Sequence, residues 1–123
     1  MEENTGTVIT TRGYIAQRRP AAIRFMKAFI RAMHRYKTDK EFAKKVLSKF
    51  AQVKDEDILE ATWREYAADL QKIPRPTLKG IQQVLDSGVA GKKIDLKAER
   101  LVDLSILDEL ERSGFIDSVY TVR

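Results

Sequence analysis

The sequence contains no cysteine and, across 123 residues, one histidine and one tryptophan. Absent thiols exclude disulfides, thiolate metal sites and cysteine nucleophiles together. They leave the compartment open. The lone His34 has no second histidine and no cysteine with which to build a zinc site or a catalytic triad. It stands at the edge of an apolar helix face, where a half-buried packing role is the ordinary fate. Long apolar runs are also missing: none approaches the roughly 18 residues that a membrane span requires. The opening stretch MEENTGTVITTRGY has neither a basic n-region nor an apolar h-region, so it does not read as a signal peptide. As written, the chain is expected to stay where it is made, in the cytoplasm.

What is present is a globular balance, 43% hydrophobic and 33% charged. This length makes one domain at most, burying about two-thirds of the unfolded surface. The formal net charge is +5, unevenly distributed. From Arg12 to Lys54, thirteen Lys and Arg face only Asp39 and Glu41, a local excess of +11. From Asp55 onward ten basic residues meet fourteen acidic ones, giving −4. Such asymmetry can steer a partner but does not set a fold.

Periodicity predicts a mainly α protein, with about five helices behind one short N-terminal strand. The β-branched run Thr7-Val8-Ile9-Thr10-Thr11 reads as that strand (7–11), although nothing downstream supplies a convincing partner. Pro20 fits a first helical turn, and residues 20–37 place Ala22, Phe25, Met26, Phe29, Ile30, Met33 and Tyr36 on one face. Thr38 and Glu41 are spaced as a capping box opening a helix over 38–51, with Phe42, Ala43, Val46, Leu47 and Phe50 inward. Asp55-Glu56-Asp57 opens a helix over 55–72 whose stripe includes Trp63, Tyr66 and Leu70, ended by Ile73-Pro74-Arg75-Pro76. Thr77 caps a helix to residue 87, stopped by Gly88. A turn is expected near 97–101. A last helix over 104–113 carries Ile106, Leu107 and Leu110 inward, with Gly114 as its left-handed cap and Phe115 folding back.

Few residues suggest chemistry. Arg24, Lys27, Arg31 and Arg35 form a basic face that could follow a phosphate backbone. Base stacking would want aromatics beside them, and Phe25, Phe29 and Tyr36 are read as pointing away, so a solvated face is the plainer account. Asp55-Glu56-Asp57 is not a calcium loop: Glu60 stands where the turn glycine belongs. The stretch from Gly88 to Lys93 is too short between glycines for a phosphate loop and has no Ser or Thr after the lysine. Asp108 and Glu109 are sequence neighbours and do not share a helix face. No catalytic residue, metal ligand or cofactor is expected, and no ligand-binding residue is assigned.

Three stretches, NTGTVITTRGYIAQRRPAAIRFMKAFIRAMHRYKTDKEFA, PRPTLKGIQQVLD and LVDLSILDELERSGFID, together resemble one family across essentially the whole chain. In order and spacing they are similar to the C-terminal part of ABC-importer solute-binding proteins. The branch is the one that includes sulfonate, taurine and thiamine-precursor binders. The resemblance implies the C-terminal helical subdomain of a type II periplasmic binding protein, in a longer parent with two α/β lobes around a cleft. It also implies a small organic solute and an ABC permease as the parent's partners, and a periplasmic or extracellular setting. Asn4, Thr5 and Thr7 would lie nearest the hinge, with no binding role carried onto them. On this reading the chain is a fragment whose ligand binding is incomplete. The alternative is a helical interaction module forming at least a homodimer through its apolar faces and strand edge. Nucleic-acid binding through the basic first helix ranks last, and an enzyme is not expected.

Overall fold

The computed structural model describes residues 7–121. It confirms the mainly α class and changes the element count. Among the described residues there are seven α-helices and no strand: α1 (Arg12–Gln17), α2 (Arg19–Thr38), α3 (Lys40–Ala51), α4 (Glu56–Asp69), α5 (Leu78–Ser87), α6 (Ser105–Arg112) and α7 (Phe115–Thr121). A 3-10 turn spans Ala98–Leu101.

The expected strand over 7–11 does not form. Branched side chains favour extended backbone, but a ladder needs a second edge, and no described segment offers one. Thr11 instead caps α1, its hydroxyl accepting from the Tyr14 N–H at 3.1 Å. Ile9 is left 88% exposed. The one β pairing among the described residues is an isolated bridge between Val89 and Lys92. Ala90 and Gly91, both at positive φ, turn the chain between them.

α2 organises the rest. Its 20 residues reach about 30 Å, and it contacts α1, α3, α4, α6 and α7. Ala22 and Ile30 of α2 meet Ile106, Leu107 and Leu110 of α6 and Ile116 of α7 in the core cluster. Ile30 and Leu110 are the largest wholly enclosed side chains. Each contributes about 1.5–3 kcal/mol from burial. Gly114 turns at φ +80, as its position suggests, but it is a corner rather than an end. Phe115 follows it into α7 and packs at the edge of the core.

The α2–α3 corner is capped one residue later than the spacing implied. Thr38 is the last residue of α2, and its hydroxyl donates back to the His34 carbonyl at 2.8 Å. Asp39 is the cap, accepting from the Phe42 N–H at 3.0 Å. A carboxylate beside a helix N-terminus offers charge as well as a hydrogen bond, so it displaces the hydroxyl. Ala43 of α3 and Leu59 of α4 are the buried residues of the next contacting pair. Phe50, expected inward, is 76% exposed because α3 ends one residue later, with Gln52 in the left-handed region. α4 stops at Asp69, short of residue 72, where Leu70 turns extended ahead of the Pro74 and Pro76 restrictions.

Among the described residues α5 and the 3-10 turn pack chiefly on each other, and the Arg12 guanidinium of α1 donates to the Arg100 carbonyl of the turn. Gln82 joins them, its side-chain oxygen accepting from the Ala98 N–H at 2.9 Å and its amide nitrogen donating to the Leu96 carbonyl at 3.3 Å. Thr77 caps α5 as expected, accepting from the Gly80 N–H. This small unit stands off the helical body, and that separation creates the site.

Candidate docking groove

Between α2, α4, the proline segment and residues 101–107 lies an open groove of about 820 Å³. α2 supplies Phe25, Met26, Phe29 and Met33; α4 supplies Glu65, Tyr66 and Asp69. Pro74, Arg75, Pro76 and Ile81 face them from the α5 side, and Thr7 to Thr10 lie along it. The lining is mostly apolar. Phe25 and Phe29 stack at 6.4 Å with their planes 15° apart. Phe25 is 56% exposed and Tyr66 55% exposed, although both fall on helix stripes whose spacing predicts burial.

The proline segment is fixed from two directions. The Arg75 N–H donates to the Ile73 carbonyl at 2.8 Å, a three-residue turn over Pro74. The Arg75 guanidinium then reaches α6, 2.9 Å from Asp108 and 2.5 Å from Glu111. These acids are three apart and share a helix face. Hydrogen bonding to Glu111 and then Asp108 holds the guanidinium above its already high pKa. Among the described residues Arg75 is the one cation lining the groove, and two carboxylates already neutralise its charge.

The acids of the groove differ among themselves. Asp103 accepts from the Ser105 hydroxyl at 2.6 Å and the Ser105 N–H at 2.9 Å, opening α6. Those bonds hold its carboxyl below the ordinary aspartate range. Glu65 and Asp69 also line the groove, with no ion pair among the described residues. Lys37 ties the end of α4 to α2, its ammonium donating to the Leu70 carbonyl at 2.9 Å.

None of the four basic-face residues lines this groove. Lys27 and Arg31 both lie over the Phe115 ring, 5.4 and 5.0 Å from its centroid. Arg35 lies over Phe42 at 3.4 Å and 3.7 Å from Asp39. Arg24 is exposed. His34 packs edge-on against Tyr120, ring centroids 4.8 Å apart. Asp55 caps α4, accepting from the Asp57 and Ile58 N–H groups. The Gly88 to Lys93 stretch is a turn closed by its β-bridge. Asn4 and Thr5 lie outside the described residues, while Thr7 lines the groove.

Sequence reasoning missed the groove. Phe25 and Tyr66 sit on apolar stripes, and periodicity marks a face without saying whether anything covers it. The one usable signal was the Pro74–Pro76 pair, which forces an extended stand-off between α4 and α5.

The groove can seat an apolar body. Among the described residues no group of three or more His, Asp or Glu is placed to hold a metal ion. No helix among them is long and apolar enough to cross a membrane. Comparison with protein-family models, with characterised proteins and with solved structures finds no match to this chain.

Proposed function

We propose that this chain is a non-catalytic binding module, the helical part of an ABC-importer solute-binding protein, in which the groove seats polypeptide rather than solute. The observation that supports this is the groove's openness, with Phe25 and Tyr66 more than half exposed inside it. Covering such a surface removes large aromatic area from water, about 25 cal/mol for each Å². A sulfonate or other small organic anion would instead need a free cation in the groove. Arg75 is already held by two carboxylates, while Glu65 and Asp69 would repel an anion. On this reading the solute contacts belong to another part of the receptor. The periplasmic setting and the permease partner follow from the same resemblance.

The test combines titration with mass measurement. Alkanesulfonate and taurine are expected to show no saturable binding tighter than about 1 mM. A hydrophobic dye is expected to fluoresce on the wild type and to lose most of that signal in Phe25→Asp and Tyr66→Asp. Micromolar binding of either solute overturns the reading. A second reading, self-association, is favoured by the exposed Val8 and Ile9 beside the groove. A dimeric mass in light scattering that Phe25→Asp returns to monomer would replace the receptor reading with that one.

A further inference from the structure

The groove is acidic although the chain is basic. Among the described residues its lining carries Glu65, Asp69 and Asp103 against the cation Arg75, while the protein as a whole is +5. Arg75 is held by Asp108 and Glu111, and Asp103 opens α6 through Ser105. Glu65 and Asp69 remain. They stand one turn apart on the same face of α4, both exposed, with no ion pair among the described residues. The acids nearer the start of α4 are better placed. Glu56 and Asp57 occupy its first turn, where the helix dipole favours negative charge, and Glu60 lies 3.1 Å from Lys40. Asp69 is instead the last residue of the helix, where the dipole opposes an acid, and no basic residue of α4 lies in that turn. Lys37 reaches this end from α2, but its ammonium donates to the Leu70 carbonyl. Two like charges at this spacing also repel each other. Cations set about one helical turn apart on a guest would relieve both costs.

We propose that the groove takes a basic amphipathic helix of a partner protein, its apolar face on the α2 wall and two Lys or Arg side chains against Glu65 and Asp69. The proposal rests on the groove seating polypeptide and adds the chemistry of the guest. The α2 wall suits a helical guest: Phe25 and Phe29 offer broad apolar area, and Met26 and Met33 have flexible side chains that fit themselves to what they meet. The sign of the charge separates this guest from the other macromolecules. A nucleic acid or an anionic lipid surface would bring phosphates against two uncompensated carboxylates. A small hydrophobic amine carries one cation and would leave one of the two carboxylates unmatched.

The probe is a labelled synthetic helix with leucines on one face and lysines four apart beside them, followed by fluorescence anisotropy against the full chain. Binding is expected in the micromolar range at low salt, weakening roughly threefold between about 50 and 300 mM salt. Glu65→Lys combined with Asp69→Lys is expected to weaken it roughly tenfold or more. These substitutions break no ion pair among the described residues and put cations where the helix dipole favours them, so the variant is expected to stay folded. The same helix with glutamine in place of lysine is expected to bind several-fold more weakly. Absence of binding by the basic helix at low salt overturns the proposal, as does unchanged binding by the folded double variant. Equal binding of the basic and glutamine helices, both lost in Phe25→Asp, overturns the charge assignment and leaves the groove as a polypeptide site. Binding of neither helix, with a dye signal that Phe25→Asp does not change, overturns the polypeptide site as well. Tighter binding of tetraphenylphosphonium than of the basic helix overturns the assignment to protein. A dimeric mass that the double variant returns to monomer overturns it in favour of a second copy of the chain.

Discussion

The indole N–H of Trp63 donates to the backbone carbonyl of Tyr36 at 2.8 Å. This single bond fastens the middle of α4 to the end of α2, and Lys40 lies 5.3 Å from the Trp63 ring centroid. Only tryptophan combines so large a ring with a donor at that reach. Trp63→Phe keeps much of the packing but strands a half-buried carbonyl, with an expected loss of about 1–3 kcal/mol. Urea denaturation followed by circular dichroism measures it. A loss under about 0.5 kcal/mol would mean that water replaces the bond freely.

Glycine positions give a matched pair. Gly88 stands at φ +70, and a Cβ there would lie 1.8 Å from the Lys92 carbonyl oxygen. That contact is backbone and cannot swing aside. Gly88→Ala is therefore expected to cost about 2 kcal/mol or more and to loosen the turn that follows α5. Gly13 lies within α1, and a Cβ there meets nothing within 4 Å. Gly13→Ala is expected to stabilise by about 0.4–1 kcal/mol. Thermal melts of the two variants should move in opposite directions.

The elements read correctly from sequence are those whose signal is local and repeated. Residues of α2, α4 and α5 recur at helical spacing, and Asp55 and Thr77 announce their helices with side chains that do cap them. Ile106, Leu107 and Leu110 are buried as the α6 pattern implies. The misses need tertiary information. α7 is seven residues long and carries β-branched Ile116 and Val119, so its helicity comes from packing on α2 and α6 rather than from propensity. Val8 and Ile9 have strand propensity without a second edge. The groove depends on where α5 stands relative to α2, and no local pattern in either helix records that distance.

Arg75 controls that stand-off. Its guanidinium bridges the proline segment to Asp108 and Glu111 while remaining about a third exposed, so screening limits its worth. Arg75→Ala is expected to cost about 1 kcal/mol of global stability. Its larger effect should be local. Amide exchange in α5 and residues 98–101 should quicken relative to α2, because among the described residues that unit packs closely on no other helix and is tied to α1 by the Arg12 hydrogen bond to the Arg100 carbonyl. Arg75→Lys restores one charge but cannot span both carboxylates, so it should recover only part of the protection. Uniform exchange changes across α2 and α5 would show that the two move as one body.

Acid should weaken the α3–α4 hairpin first. Glu60 sits 3.1 Å from Lys40, 3.6 Å from Lys44 and 3.5 Å from Arg64. The hydrogen bond from Lys40, reinforced by the three charges, holds its carboxyl below the ordinary glutamate range. A carboxyl depressed on folding binds its proton more readily when unfolded. Its stabilisation is therefore complete above the unfolded value, about 4.3, and is lost as pH falls through the lower folded value. Lys44 is shifted upward, first by its hydrogen bond to Glu56, so its contribution is complete at neutral pH and fades only at high alkalinity. Stability measured from pH 6 down to about 2 should drop through this acid window. Glu60→Gln should be less stable at pH 6 and show a shallower fall, since the side chain no longer titrates. Asp86 and Asp103 are depressed as well, so some slope should survive in that variant. An unchanged slope would assign the acid sensitivity to those two aspartates and leave Glu60 without a measurable share.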